Sequence, residues 1–106
     1  MNFFDLQQTI ITKYPVVLSI QLNGDNIRIN SIVIEKSQRN RGYGTAILNY
    51  ICEYADCNGY TITLTPDSSL GGNFRRLKGF YKRFGFKKYT EYYYTDSHIR
   101  YPKGKS

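Results

Sequence analysis

At 106 residues the chain has the length of one domain, large enough for a core of its own and too short for two. Its formal net charge of +7 favours an anionic partner, whether nucleic acid, a membrane surface or a phosphate-bearing cofactor, and composition alone does not choose among them. With no apolar run of about eighteen residues and no charged and apolar regions of a secretion signal at its start, the sequence points to a soluble, cytoplasmic protein without a membrane partner.

Taken in order, residues 3–13 place Phe3, Leu6, Ile10 and Ile11 at helical spacing, and Tyr14-Pro15 ends the pattern. Val16, Leu18, Ile20 and Leu22 then fall on one side and Ser19 and Gln21 on the other, as in a half-buried strand. Asn23-Gly24-Asp25-Asn26 supplies a turn, and a strand resumes from Ile27 to Ile34, so 16–34 reads as an antiparallel hairpin. From Tyr43 the period changes, and Ile47, Leu48, Ile51, Cys52 and Ala55 form one apolar helical face that Asn58-Gly59 stops. Cys52 and Cys57 are too few for a disulfide framework and match no metal-ligand spacing, so reduced thiols and no metal are expected.

Tyr60 to Thr65 alternates as another strand. Asn73 suits the N-cap of a helix whose inner stripe is Phe74, Leu77, Phe80, Tyr81 and Phe84, closed by Gly85. Phe86 to Tyr94 and His98 to Tyr101 read as a final strand pair. The expected fold over 1–106 is a single α+β domain of three-layer α/β type, a mixed and mostly antiparallel sheet flanked by helices.

One stretch carries chemistry. Gln38-Arg39-Asn40-Arg41-Gly42-Tyr43-Gly44-Thr45 lies between a strand and a helix, where a glycine turn aims backbone N–H groups and the positive end of the helix dipole at one point. It is not a P-loop, since no Lys-Ser/Thr follows the last glycine, and not a dinucleotide fingerprint, since position 47 is Ile rather than a third glycine. Arg41-Gly42-Tyr43-Gly44 also begins like an RNA-binding strand motif, but it runs into helical periodicity where that motif needs a strand.

Ile32-Val33-Ile34, the glycine turn with Arg39, Gly42 and Gly44, and the following helix resemble the central motif of the GCN5-related N-acetyltransferases, Gln/Arg-x-x-Gly-x-Gly/Ala after a hydrophobic strand. Downstream, Leu77 to Phe86 is similar to the family's later motif ending in Tyr-x-x-x-Gly-Phe, and together the two cover about half the chain. The resemblance implies that fold with a shortened N-terminal region, and acetyl-CoA as cosubstrate. It implies that Arg39, Asn40, Arg41, Gly42, Tyr43, Gly44 and Thr45 seat the pyrophosphate, and that the pantetheine arm lies along the backbone of Ile32, Val33 and Ile34.

The same resemblance gives Tyr81 the role of general acid toward the coenzyme thiolate, a task suited to a phenol, which is protonated at neutral pH; the residues alone also allow a core aromatic. Phe74 falls where many members carry asparagine, with Asn73 one step off. Arg28 stands where some relatives place a glutamate base, leaving Glu35, Asp67, Glu91, His98 or a relayed water. The expected activity is acetyl transfer to an amine, a protein lysine or other macromolecular amine, by direct attack. The chain resembles small phage-encoded members, which suggests a host or defence protein as partner, and the short N-terminal wall suggests either a macromolecular acceptor or a site completed by a second copy, a homodimer. The rival expectations are a non-catalytic coenzyme-binding module and a basic nucleic-acid-binding domain.

Overall fold

The alternations of period in the sequence set out five strands and three helices. The structure, a computed structural model, describes residues 2–38, 41–65, 74–88 and 98–103, with the side chains of 74–78 outside that description. Helix α1 spans Phe3–Lys13, β1 Val16–Asn23, β2 Asn26–Ile34, α2 Tyr43–Asn58, β3 Thr61–Leu64, α3 Phe74–Arg83, β4 Lys87–Lys88 and β5 His98–Arg100, with a 3-10 turn at Lys36–Gln38. The expected helix N-cap at Asn73 and most of the expected strand after Phe86 lie outside the described residues.

A capping box starts α1: the Asn2 side chain accepts from the Asp5 N–H at 2.8 Å while the Asp5 carboxylate accepts from the Asn2 N–H. Leu6 and Ile10 enter the core, whereas Ile11, expected on the same apolar face, is exposed together with Phe4. At 100° per residue Ile11 sits well round the helix from Leu6, so only one of the two adjacent isoleucines can face inward.

β1 and β2 form the expected hairpin, with Gly24 at φ 61 in its tip. The register slips once. Ser19 pairs with Ser31 but Ile20 pairs with Ile29, so Asn30 is an extra residue, a β-bulge in β2. The slip lets Ile27 and Ile29 before it and Ile32 and Ile34 after it all face the core.

α2 is the crossover of a parallel β2–α2–β3 unit, and the mixed sheet has the order β1-β2-β3-β5-β4. β5 slots antiparallel between β3 and β4. Ile27, Ile62, Ile47, Leu48 and Ile51 are fully buried between this sheet and the helices. Flanked in this way, the sheet matches the expected architecture.

One charged residue ties the far side together. Arg100 on β5 is 3% exposed and makes a bidentate pair with Asp56 near the end of α2, at 2.8 and 2.9 Å, while its Nε donates to the Phe84 carbonyl just past α3. Asp56 also accepts from the Lys103 N–H at 2.8 Å. Nearby, burial pushes the Cys52 thiol up to about 11, which leaves it an inert core residue, while Cys57 is exposed.

The Arg100 hydrogen bond holds the Asp56 carboxyl below its ordinary range. A carboxyl with a lowered folded pKa contributes stability that is complete above its unfolded value, about pH 4, and lost as pH falls through the folded one. Asp56→Asn strands a buried guanidinium and should cost about 2–3 kcal/mol at pH 7, the low end for a pair whose carboxylate side chain is 26% exposed. Urea unfolding at several pH values should also show a shallower acid limb below about pH 4; an unchanged limb would assign that pH dependence to other carboxylates.

Candidate active site

A parallel pair stays joined only as far as its ladder runs. β2 and β3 are paired from Asn26–Thr61 to Ile29–Leu64, and β2 continues to Ile34 without β3 beside it. The bulge at Asn30 falls where the ladder ends, and a bulge bends and twists its strand. Beyond that point an open cleft is lined by Ile29, Asn30, Ser31 and Ile32 on one side, Leu64 and Thr65 on the other, and Tyr81 of α3.

The structure thus brings Tyr81 and Ile32 to one cleft. Val33 and Ile34 continue along the strand past the lining residues, paired with Val17 and Val16. Asn30 and Ser31, which the sequence reading passes over, line the cleft beside Ile32. The signal was present: Ile27 and Ile29 are in one strand phase and Ile32 and Ile34 in the other, and a phase slip inside a strand marks a bulge.

Tyr81 is 5% exposed and packs edge-on against Phe80 and Phe86, ring centroids 5.3 and 5.6 Å away. These contacts fix the ring from two sides while it lines the cleft, so the core-aromatic and site readings describe the same residue.

The strand that walls the cleft leads through Lys36–Gln38 into the turn that opens α2. Gly42 is the N-cap residue at φ 77, and among the described residues no side chain caps the helix. The N–H groups of the first turn, from Tyr43, Gly44 and Thr45, are the ones an α-helix leaves without internal partners, and no acidic residue lies in that turn. Arg41 is exposed beside them, and Lys36 is exposed one turn earlier. This is a donor set for an oxyanion, most of it main chain. Arg39 and Asn40 lie outside the described residues.

A Cβ added at Gly42 would meet nothing within 4 Å, so the glycine is required by its left-handed backbone and not by crowding within the protein. Tyr43 half-buries its ring against Tyr14, 5.8 Å between centroids, and Tyr14 in turn meets Tyr50, whose hydroxyl accepts from Lys13 Nζ at 2.7 Å. This cluster anchors the start of α2 to the end of α1.

Among the base candidates, Glu35 is exposed at the end of β2, and His98 is buried on β5 across the ladder from Leu64. Arg28 is exposed on β2 next to Thr63. Asp67 and Glu91 lie outside the described residues.

A family model described as an acetyltransferase (GNAT) domain matches residues 10–88. No sequence among the curated proteins matches significantly. Among solved structures the fold is similar to that of Tetrahymena GCN5, at 14% identity and a TM-score of 0.61, covering 81% of this chain and 59% of that one. It is also similar to Ard1 from Thermoplasma volcanium, at 18% identity and a TM-score of 0.56, covering 82% and 61%. A third is Arabidopsis thaliana Naa50 in complex with the bisubstrate analogue CoA-Ac-MVNAL, at 19% identity and a TM-score of 0.53, covering 79% and 60%. The chain spans less than two thirds of the length of each, and at these identities the likeness is one of fold.

The geometry at Gly42 gives a direct check. Gly42→Val places a β-branched residue in the left-handed region and should lower stability by about 1–2 kcal/mol, whereas Gly42→Asn should cost less than about 1. Equal losses in urea titration would mean that backbone conformation is not what selects glycine there.

Proposed function

This chain belongs to the GNAT family of acetyltransferases, and from that premise we propose that it moves an acetyl group from acetyl-CoA to an amine, with a protein lysine or another macromolecular amine as acceptor. The observation that carries the proposal is the parting of β2 from β3 after the Ile29–Leu64 pair, which opens a cleft between a strand edge and Tyr81 on the way to the uncapped start of α2.

Each part fits a different piece of the coenzyme. On the side away from β1, the backbone of residues 30–32 can bond an amide-bearing arm as an added strand would. The first turn of α2 and Arg41 can hold the pyrophosphate. The bound thioester supplies an activated acetyl group. As the neutral amine forms the new C–N bond and the C–S bond breaks, Tyr81 gives its proton to the departing sulfur, and the proton lost by the amine nitrogen passes to solvent, from which Tyr81 is reprotonated. A chain of net charge +7 repels small polycationic amines, and this favours a lysine in a neutral or acidic protein surface as acceptor.

Thermal unfolding with acetyl-CoA tests the binding half: at about a hundredfold excess over Kd the ligand should add about 2.7 kcal/mol. No shift at millimolar ligand would remove the proposal. Deleting Asn30 keeps Ile27, Ile29, Ile32 and Ile34 in one phase and straightens the strand. That deletion should leave the unliganded midpoint unchanged or higher while weakening acetyl-CoA binding about tenfold or more; a variant that still binds at wild-type strength would separate the bulge from the site.

Tyr81→Phe tests the chemical half. Thiol release with a lysine-rich protein should slow about a hundredfold while the acetyl-CoA stabilisation is retained. Wild-type turnover in that variant would strike out the acid role, and acetyl-CoA binding with no turnover in the wild type would favour a non-catalytic coenzyme-binding module.

A further inference from the structure

Tyr81 sits near the end of its helix, so whatever closes that helix decides where its ring stands. α3 ends at Arg83, and the chain leaves it through Phe84, Gly85 at φ 94 and Phe86. The Phe86 N–H donates to the Tyr81 carbonyl at 3.2 Å, and the Gly85 N–H donates to the Lys82 carbonyl at 3.0 Å. This pair of bonds is a Schellman motif, and Tyr81 is the residue that receives the longer-range one. The side-chain contact that accompanies such motifs joins the same two residues, since Phe86 packs edge-on against Tyr81 with 5.6 Å between centroids. Tyr81 is tied to the closing turn twice, by its carbonyl and by its ring.

The motif satisfies the carbonyls of Tyr81 and Lys82 but not that of Phe84, one of those a helix end leaves without an internal partner. Arg100 takes it. Its Nε donates to the Phe84 carbonyl at 2.6 Å, and a Cβ added at Gly85 would stand 3.8 Å from the same nitrogen, so the arginine lies against the turn itself. The far end of the guanidinium is gripped by Asp56 at 2.8 and 2.9 Å. Asp56 belongs to α2, whose first turn offers the donors for an oxyanion. One buried side chain therefore joins the turn that holds Tyr81 to the helix that starts at the anion seat.

We infer that Arg100 is a positioning residue for Tyr81: by capping the closing turn of α3 and bracing it on α2, it sets where the tyrosine ring stands in the cleft. Lysine would not serve alike. A terminal ammonium can answer Asp56, but it offers no second donor part-way along the side chain for the Phe84 carbonyl. The effect on rate rests on the reading of Tyr81 as the acid, whereas the contact stands without it.

Arg100→Lys, which keeps a charge facing Asp56, tests this. In thiol release with a lysine-rich protein its kcat should fall about tenfold while KM for acetyl-CoA stays within about twofold. In the Tyr81→Phe background the same substitution should change kcat by less than about twofold, because a residue that acts through Tyr81 has no hydroxyl left to place. Amide exchange at Phe86 should quicken about tenfold relative to that of buried Ile62 in β3. If Arg100→Lys does not fold, Asp56→Asn, which frees the guanidinium at its other end, replaces it with the same expected results. A wild-type kcat in the variant, an equal loss in the Tyr81→Phe background, or Phe86 exchange that rises no more than that of Ile62 would overturn the inference. Should the wild type bind acetyl-CoA without turnover, the catalytic reading fails, and the two exchange rates alone decide whether Arg100 holds Tyr81.

Discussion

A strand cannot serve two neighbours along its whole length and also offer its backbone to a ligand. In this sheet β2 is held by β1 from Asn26 to Ile34, yet β3 accompanies it only as far as Ile29. Among the described residues, those beyond are paired on the β1 side only, and the bulge at Asn30 bends the strand just where the β3 ladder ends. The cleft is the direct result, and Tyr81 enters it from α3 because Phe80 and Phe86 hold its ring in place. Were β3 to run on beside β2, its backbone would occupy the positions that the proposed cosubstrate needs.

Such an opening weakens the sheet in its middle, and other contacts offset it. Arg100 fastens β5 to the end of α2 and to the carbonyl that closes α3, so two helices and the strand between β3 and β4 share one buried guanidinium. From Asp56 to Tyr43 along α2 is about 20 Å. The ion pair and the uncapped helix start therefore stand at opposite ends of the same rigid rod: one end is fixed by charge, the other by the Tyr14–Tyr43 contact with α1. The donor groups of the first turn keep their direction because neither end of the helix is loose.

Much of this was legible in the residues. Gly42 and Gly59 fall where left-handed backbone is needed at the two ends of α2, and both take it, at φ 77 and 71. The hairpin from Val16 to Ile34, the apolar face of α2 and Tyr81's motif position were readable for the same reason: each is a local pattern. The bulge was written as a phase slip between Ile29 and Ile32 but could be passed over as two short alternations. Arg100 gave no signal, since a lone arginine in a short terminal strand reads as exposed; its burial depends on Asp56, 44 residues away in the chain. Ile11 shows the opposite error, an apolar residue at near-helical spacing that the angular step of the helix turns outward.

The sequence by itself determined the extent of α1, the β1–β2 hairpin and α2 to within a residue or so, and which glycine turn could face a phosphate, because period, caps and left-handed positions are set within a few residues of chain. Through the two motifs it also determined the family. Only the tertiary structure decided that β5 inserts between β3 and β4 and that Asn30 and Ser31 line one cleft with Ile32 and Tyr81. Periodicity tells a residue which side to bury, but the identity of the neighbour it is buried against comes from the packing of the whole chain.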